Sequence, residues 1–186
     1  MERGETIRKL LHICAPAFAL AYLLPEEIGP VTRDSVVISA WIVFALFEAV
    51  RLKKGIRITG LREYEYRRPS AAFWMCSAFL LMILFFPVEY ALPLLAGFGF
   101  VDPLIGMLRK RGSRLYPLLP MIVYYVIVVT TMSVMIGATW GVLALSVCVT
   151  MSAIAAEGIK NDIVDDDFLM LFVPLMVLWA LGGVLI

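Results

Sequence analysis

Long apolar runs alternate with short charged segments along the whole chain, and this pattern predicts membrane-spanning helices. A bilayer core requires about 20 apolar residues per helix, with roughly 17 to 25 tolerated. Seven runs of about this size occur, at residues 7–24, 34–50, 70–88, 90–108, 115–137, 138–156 and 168–186. Because unpaired backbone groups are costly in hydrocarbon, each run is expected to be a helix.

The boundary between the fifth and sixth runs is the least obvious, because no charged residue occurs from Leu115 to Ala156. Gly137 and the Trp140-Gly141 pair predict the turn, and the stretch is long enough for a two-span hairpin. The expected fold is therefore an all-α, polytopic bundle of about seven transmembrane helices, forming a single domain over residues 1–186. The longest loop, residues 51–69, is too short for a second domain and its tyrosines and mixed charges favour an interfacial helix.

Composition agrees with a membrane protein and excludes an ordinary soluble domain. The chain is 62% hydrophobic and 17% charged, and its mean hydropathy is +0.92. The net charge of +1 offers no argument for nucleic-acid binding. Cys14, Cys76 and Cys148 each lie in an apolar stretch without metal-ligand spacing, so we interpret them as packing or lipid-facing residues.

The distribution of basic residues predicts the orientation. In a seven-span arrangement every Lys and Arg except Arg33 lies on one side of the membrane. The positive-inside rule therefore places the N-terminus in the cytoplasm and the C-terminus outside. The small size favours a prokaryotic cell membrane, with any chemistry at its cytoplasmic face.

Two candidate binding motifs lie at the cytoplasmic ends of the first two spans. Arg8, Lys9 and His12 form R-K-x-x-H, whose spacing puts Arg8 and His12 on one helical face, where they suit a phosphate or a lipid hydroxyl. Glu48 and Arg51 are one turn apart close to the hydrocarbon boundary. The alternatives are topology signals with an interfacial histidine, and ion pairing at the headgroup surface.

The fourth span carries Asp102 shortly before a basic segment that contains Arg109 and Lys110. A carboxylate within a span is expensive in lipid, so we expect it to face a polar cavity. Pro103 and nearby glycines are expected to loosen or break the helix there. A carboxylate beside basic residues suits Mg²⁺ with nucleotide phosphates, although a cap of a half-helix is the structural alternative.

The segment before the last span is strongly acidic and supplies the remaining candidates. It contains Glu157, Lys160 and three adjacent carboxylates, Asp165 to Asp167. A divalent cation would relieve the repulsion among the carboxylates. Their position at a helix N-terminus also suits negative charge without a metal.

These four pieces, in this order, resemble the polyprenol kinase family, which includes dolichol kinase and phytol kinase and is related to the phosphatidate cytidylyltransferases. The R-K-x-x-H motif is similar to the family's opening motif, and Asp102-Pro103-Leu-Ile-Gly106 resembles its G-D-x-x-A-x-x-x-G segment with Val101 in place of the first glycine. Glu157 and the run Asp166 to Pro174 resemble the family's Glu followed by D-N-x-x-x-P, with Asp167 where Asn is usual. The family's Lys-Ser-x-Glu-Gly element has no clear counterpart here.

The resemblance implies transfer of the γ-phosphoryl group of CTP to an isoprenoid alcohol of the dolichol, phytol or geranylgeraniol type, with Mg²⁺ as cofactor. The roles it suggests are catalytic for His12, Glu157 and Asp102; metal-binding for Asp102, Asp165 and Asp166; nucleotide-binding for Arg62, Arg109, Lys110 and Lys160; and substrate-binding for Arg8, Lys9 and Glu48.

Three other functions stay open on the sequence. A cytidylyltransferase uses similar partners, but its usual C-terminal P-G-H-G-G and D-R elements are absent. A small transporter or channel needs polar groups near the bilayer midplane, and often paired broken helices. A membrane scaffold would explain the missing kinase element but not the ordered acidic residues.

Overall fold

The computed structural model describes residues 2–159 and 163–185, and helices dominate this part of the chain. Its seven α-helices are α1 (Glu2–Ile13), α2 (Arg33–Lys54), α3 (Ala71–Phe85), α4 (Val88–Lys110), α5 (Leu118–Ile136), α6 (Trp140–Glu157) and α7 (Asp166–Leu185). Two 3₁₀ helices, η1 (Ala15–Leu23) and η2 (Glu63–Tyr66), precede α2 and α3 respectively. A two-residue antiparallel pair, Glu27–Ile28 with Val31–Thr32, turns the chain into α2.

Five of these helices, α2, α4, α5, α6 and α7, are long and apolar enough to cross a membrane. The prediction of an all-α membrane bundle is confirmed at this level. The shorter apolar helix α3 covers most of the third predicted run. Local sequence explains several helix starts, since Thr32, Ser70 and Thr139 each accept a backbone N–H from the first turn of α2, α3 and α6.

The first predicted run is not one continuous α-helix. Helix α1 ends at Ile13, and the chain continues as a 3₁₀ helix from Ala15. Pro16 lies in the first turn of that segment, where its missing N–H is tolerated, but it lacks the N–H that would continue the α-helical ladder from α1. The predicted turn between the fifth and sixth runs does occur, with Gly137 at a φ of 98°.

Two sequence expectations about local structure were wrong. The loop after α2 contains the single turn η2 rather than an interfacial helix, because Glu65 and Arg62 form a compact capping arrangement. Helix α4 is continuous from Val88 to Lys110 and is not broken at Pro103. Tight packing holds α4 together, since it lies against α1, η1, α5 and α7 at the centre of the bundle.

The core is apolar and surrounds α4. Phe98, Leu94 and Leu95 of this helix are fully or almost fully buried, together with Tyr124 of α5 and Leu171 of α7. Burial at this level fixes how α4 is rotated about its own axis. That rotation directs Asp102, in the second half of the helix, towards α1 and α7 at one end of the bundle.

Candidate functional site

His12 joins three helices at one end of the bundle. Its Nε2 atom lies 3.2 Å from Oδ2 of Asp167 and 3.3 Å from Oδ2 of Asp102. Its other ring nitrogen, Nδ1, donates to the backbone carbonyl of Arg8 at 2.7 Å, since a carbonyl oxygen can only accept. Nε2 can therefore either carry a proton towards the carboxylates or offer its lone pair to a cation.

A close approach of two backbones makes this contact possible. Gly99 of α4 lies against the last turn of α1, and a Cβ atom added to it would be 2.6 Å from the carbonyl oxygen of His12. Any side chain at position 99 would displace this part of α1. The glycine interpreted in the sequence as a helix loosener is thus a packing residue that sets the position of His12. The imidazole ring also packs on Phe98, with ring centroids 5.1 Å apart.

Asp167 belongs to two overlapping clusters of possible metal ligands. One comprises His12, Asp102 and Asp167, and the other comprises Asp165, Asp166 and Asp167; in each, the ligand atoms lie within 4.8 Å of one another. Asp167 is 1% exposed, and its Oδ1 atom has no hydrogen-bond partner among the described residues. A buried, unpaired carboxylate oxygen is costly, which is the situation that a bound cation relieves.

The charged groups in the loops before α3 and α7 also affect one another's pKa values. Burial and the adjacent carboxylates Asp166 and Asp167 raise the pKa of Asp165 to about 7. Arg62 lies 3.7 Å from Asp166 and hydrogen bonds to Tyr64, and despite its burial these partners raise its pKa. Burial and the neighbouring carboxylates therefore disfavour the ionised form of Asp165.

Basic residues surround the same place and line a polar cavity of about 290 Å³. The members of its wall that were predicted as site residues are Arg8, Lys9, His12, Arg62, Asp102, Arg109, Lys110, Glu157 and Asp166. Residues from α1, α4, α6, α7 and the loop before α3 thus meet at one end of the bundle. Such a cavity suits a polyanion together with a divalent cation.

Several of these side chains are already paired. Arg109 donates two hydrogen bonds of 2.6 Å to the two oxygens of Glu157, and a further one to Tyr116. Glu5 pairs with Lys9 at 2.9 Å and with Lys110 at 2.8 Å. Those two ammonium groups hold the pKa of Glu5 down at about 2.

Glu48 lies outside the polar cavity. Both of its oxygens accept from Arg51, at 2.7 and 2.8 Å, and Oε1 also accepts from the backbone N–H of Ser70. It lines a neighbouring apolar cavity of about 220 Å³, whose wall also includes Arg8, His12 and Asp167. The two cavities therefore meet at Arg8 and His12.

The structure adds residues that the sequence reasoning did not single out. Asp167 connects the two clusters, and Tyr64 lies between Arg62 and Asp165, 3.4 Å from the latter. The sequence places Asp167 in the acidic run, at the position where the motif of the polyprenol kinases has Asn, and suggested no role for it. Lys160 lies outside the described residues.

Comparisons with known proteins found no match that bears on this site. No family model, no curated protein and no solved structure matches the chain. The resemblance to polyprenol kinases therefore rests on the motifs quoted above.

Proposed function

We propose that this protein is a membrane lipid kinase that transfers the γ-phosphoryl group of CTP to the terminal hydroxyl of an isoprenoid alcohol. The observation that carries the proposal is the meeting of a polar, charge-lined cavity and an apolar cavity at His12. A kinase acting on a lipid needs these two environments side by side, one for the polyphosphate and one for the hydrocarbon chain. The order of motifs along the chain supports the same reaction.

The donor set fits Mg²⁺ on chemical grounds. Asp102, Asp165, Asp166 and Asp167 offer hard carboxylate oxygens, and the unpaired Oδ1 of Asp167 is a buried ligand atom without a partner among the described residues. Bound there, Mg²⁺ would supply charge neutralisation at the β- and γ-phosphates. We propose Asp167 as a ligand in addition to the three aspartates suggested by sequence.

The basic residues of the polar cavity bind and orient the phosphates in this proposal. Arg62 and Lys110 both line the cavity, and Arg109 is held in a fixed direction by Glu157. Because both Glu157 oxygens are already hydrogen bonded, we assign Glu157 the role of positioning Arg109 rather than that of a base. Preorganised donors of this kind stabilise the charge that develops on the transferred phosphoryl group.

His12 is the best-placed group for the acceptor hydroxyl, because it lines both cavities. The hydroxyl oxygen forms a bond to the γ-phosphorus while the bond from that phosphorus to the β–γ bridging oxygen breaks, releasing CDP. The hydroxyl proton passes to Nε2 of His12 or to an adjacent carboxylate. Positioning and charge neutralisation supply most of the catalysis in such a transfer.

The proposed topology places this site at the cytoplasmic face. Seven crossings, with η1 completing the first and α3 forming the third, put the basic loops and the polar cavity on one side of the membrane. A reporter fused to the C-terminus tests this arrangement, since it must lie outside the cell. A cytoplasmic reporter would overturn the orientation.

Product analysis tests the reaction itself. Purified protein in detergent is incubated with Mg²⁺, an isoprenoid alcohol and CTP that carries label at either the α- or the γ-phosphate. The proposal predicts γ-label in the lipid phase and CDP in the aqueous phase. Release of pyrophosphate, with α-label in a lipid when a lipid phosphate is offered, would instead indicate a cytidylyltransferase. Absence of transfer from CTP and from ATP would contradict the proposal.

A further inference from the structure

Two apolar cavities lie end to end between α2 and α3. The first, of about 220 Å³, contacts His12 and Asp167 and is lined by Phe47 and Met75. The second, of about 260 Å³, is lined by residues of η1, α2 and α3 and extends to Val36, near the other end of α2. Phe44 lines both cavities. The side chain of Phe44 therefore lies where the two cavities adjoin.

The path along the two cavities is about as long as one leaflet of the hydrocarbon core is thick. From Phe47 to Val36 it follows α2 for about 16 Å at the rise of an α-helix. This is about half the thickness of the hydrocarbon core. A ligand that filled the path would be an extended chain, not a compact molecule.

We term the cavity at His12 the upper cavity and the cavity at Val36 the lower cavity. The walls of both are mainly apolar, although charged residues line part of the upper cavity. Glu48 and Arg51 bind each other, and Glu65 accepts from the backbone N–H of Ala71 at 2.6 Å. Their polar atoms are thus engaged with protein groups. Arg8 and His12 also line the adjoining polar cavity, and Asp167 contacts His12 at the same end of the apolar path. An occupant must therefore be hydrocarbon over most of its length, with one polar group at its His12 end.

The two cavities lie beside the least buried of the long apolar helices. Of the five long apolar helices, α2 buries the smallest share of its apolar window, 11%. It contacts the bundle mainly through α3. A chain can therefore enter from the bilayer beside α2 without crossing the core.

We propose that these two cavities form one acceptor groove, which holds the hydrocarbon chain of a single-chain alcohol with its hydroxyl at His12, and that Phe44 determines how much of the chain is enclosed. This inference rests on the proposed kinase function for the identity of the polar end. It adds the location of the chain and a residue that selects for its length.

Photo-crosslinking tests the location without nucleotide or turnover. The probe is a geranylgeraniol analogue with a diazirine at the end distant from the hydroxyl, and its labelled residues are mapped by mass spectrometry. We expect label in the lower cavity, at Trp41, Cys76 or Phe79. Label confined to the outward faces of α5 and α6 would overturn the groove. Displacement of the probe by diacylglycerol more readily than by geranylgeraniol would overturn the single-chain occupant.

Substitution at the junction tests the selection of length. Phe44→Trp enlarges the side chain where the cavities meet, and we expect it to lower labelling by the long probe about tenfold, the scale of overpacking in a closed site. Binding of geraniol, which needs only the upper cavity, should change little. The matched control is Val43→Trp, because Val43 is 67% exposed on the same helix.

A second variant protects the test against misfolding. Ala40→Phe narrows the lower cavity one helical turn from Phe44 and should reduce labelling by the long probe in the same way. Unchanged labelling in both folded variants would overturn the role of the junction. Labelling of the groove without phosphoryl transfer from any nucleotide would contradict the kinase function and support the groove. Phosphoryl transfer with the label outside the groove would support the kinase function and overturn the groove.

Discussion

Two groups of buried charge lie at the same end of the bundle, and they differ in how their polar atoms are used. The first group, which we term the clamp, comprises Glu48, Arg51 and Glu65. Arg51 donates to Glu48, and the two glutamates accept from backbone N–H groups at the start of α3. In the second, which we term the open cluster, His12, Asp102 and Asp167 converge while Oδ1 of Asp167 has no partner within the described chain. Burial of charge is common to both, so burial alone does not identify a functional site. Unused hydrogen-bonding capacity separates them.

The clamp explains how the end of α2 is attached to the start of α3. Arg51 is 1% exposed and Glu48 is 4% exposed, and Arg51 also donates to the carbonyl of Arg68 at 3.1 Å. Charges this buried are tolerated when their hydrogen bonds are complete. The comparison therefore assigns the clamp to stability and supports the proposal that the open cluster binds a ligand.

The largest expected effect is on stability and concerns the clamp. Arg51→Ala leaves Glu48 buried without its main partner, which costs about 3 to 5 kcal/mol. Thermal unfolding in detergent should show a markedly lower Tm for this variant. Lys54→Ala, an exposed change in the last turn of the same helix, is the control and should leave Tm almost unchanged. Equal Tm values for the two variants would remove the distinction between the groups.

The second prediction concerns the open cluster and reverses the pattern. Asp102→Asn and Asp166→Asn each remove a carboxylate charge needed to neutralise the phosphates, so phosphoryl transfer should fall at least about a hundredfold. Their Tm should remain close to that of the wild type, because relief of repulsion among the carboxylates offsets the lost contacts. Transfer assays and thermal unfolding measure the two effects on the same samples. Undiminished activity in both variants would contradict the role proposed for Asp102 and Asp166.

The third prediction sharpens the comparison by moving His12 without changing its chemistry. Gly99→Ala places a Cβ atom against the carbonyl oxygen of His12, so the last turn of α1 must shift. Overpacking of this kind should reduce transfer about tenfold. Gly183→Ala in α7 is the control, because no atom lies within 4 Å of its added Cβ. Equal activity of the two variants would show that the position of His12 does not matter.

The smallest expected effect lies at the rim of the polar cavity. Lys110 is 68% exposed, and its pair with Glu5 is weak in water. Lys110→Ala should raise the KM for the nucleotide only about threefold, with kcat little changed. Arg111→Ala, which is exposed outside the cavity wall, should leave KM unaltered. A large loss of kcat on changing Lys110 would place the phosphates nearer to it than proposed.

Sequence reasoning located the open cluster only in part. The positive-inside rule and the motif order brought His12, Asp102 and the acidic run to one end, because each lies near a span boundary. The sequence suggested Asp165 and Asp166 as ligands and gave no role to Asp167, since its inward side chain depends on how α7 is rotated in the bundle. Gly99 was misinterpreted for a similar reason, because a close approach between two helices leaves no mark on local spacing.

The clamp was easier to predict than the site. Glu48 and Arg51 are three residues apart on a helix, so their pairing follows from helical geometry alone. Their attachment to Ser70 and Arg68 required the tertiary fold. The 3₁₀ form of the segment after Ile13 also escaped the hydropathy pattern, because apolar composition does not distinguish it from an α-helix.

One measurement tests the central claim most directly, namely transfer of γ-label from CTP to geranylgeraniol by wild-type protein and by Asp167→Asn, side by side with Mg²⁺ present. Asp167 carries the unpaired oxygen that distinguishes the open cluster from the clamp. The account predicts label in the lipid phase with the wild type and almost none with the folded variant. Equal transfer by both proteins, or no transfer by the wild type from any nucleotide, would contradict it.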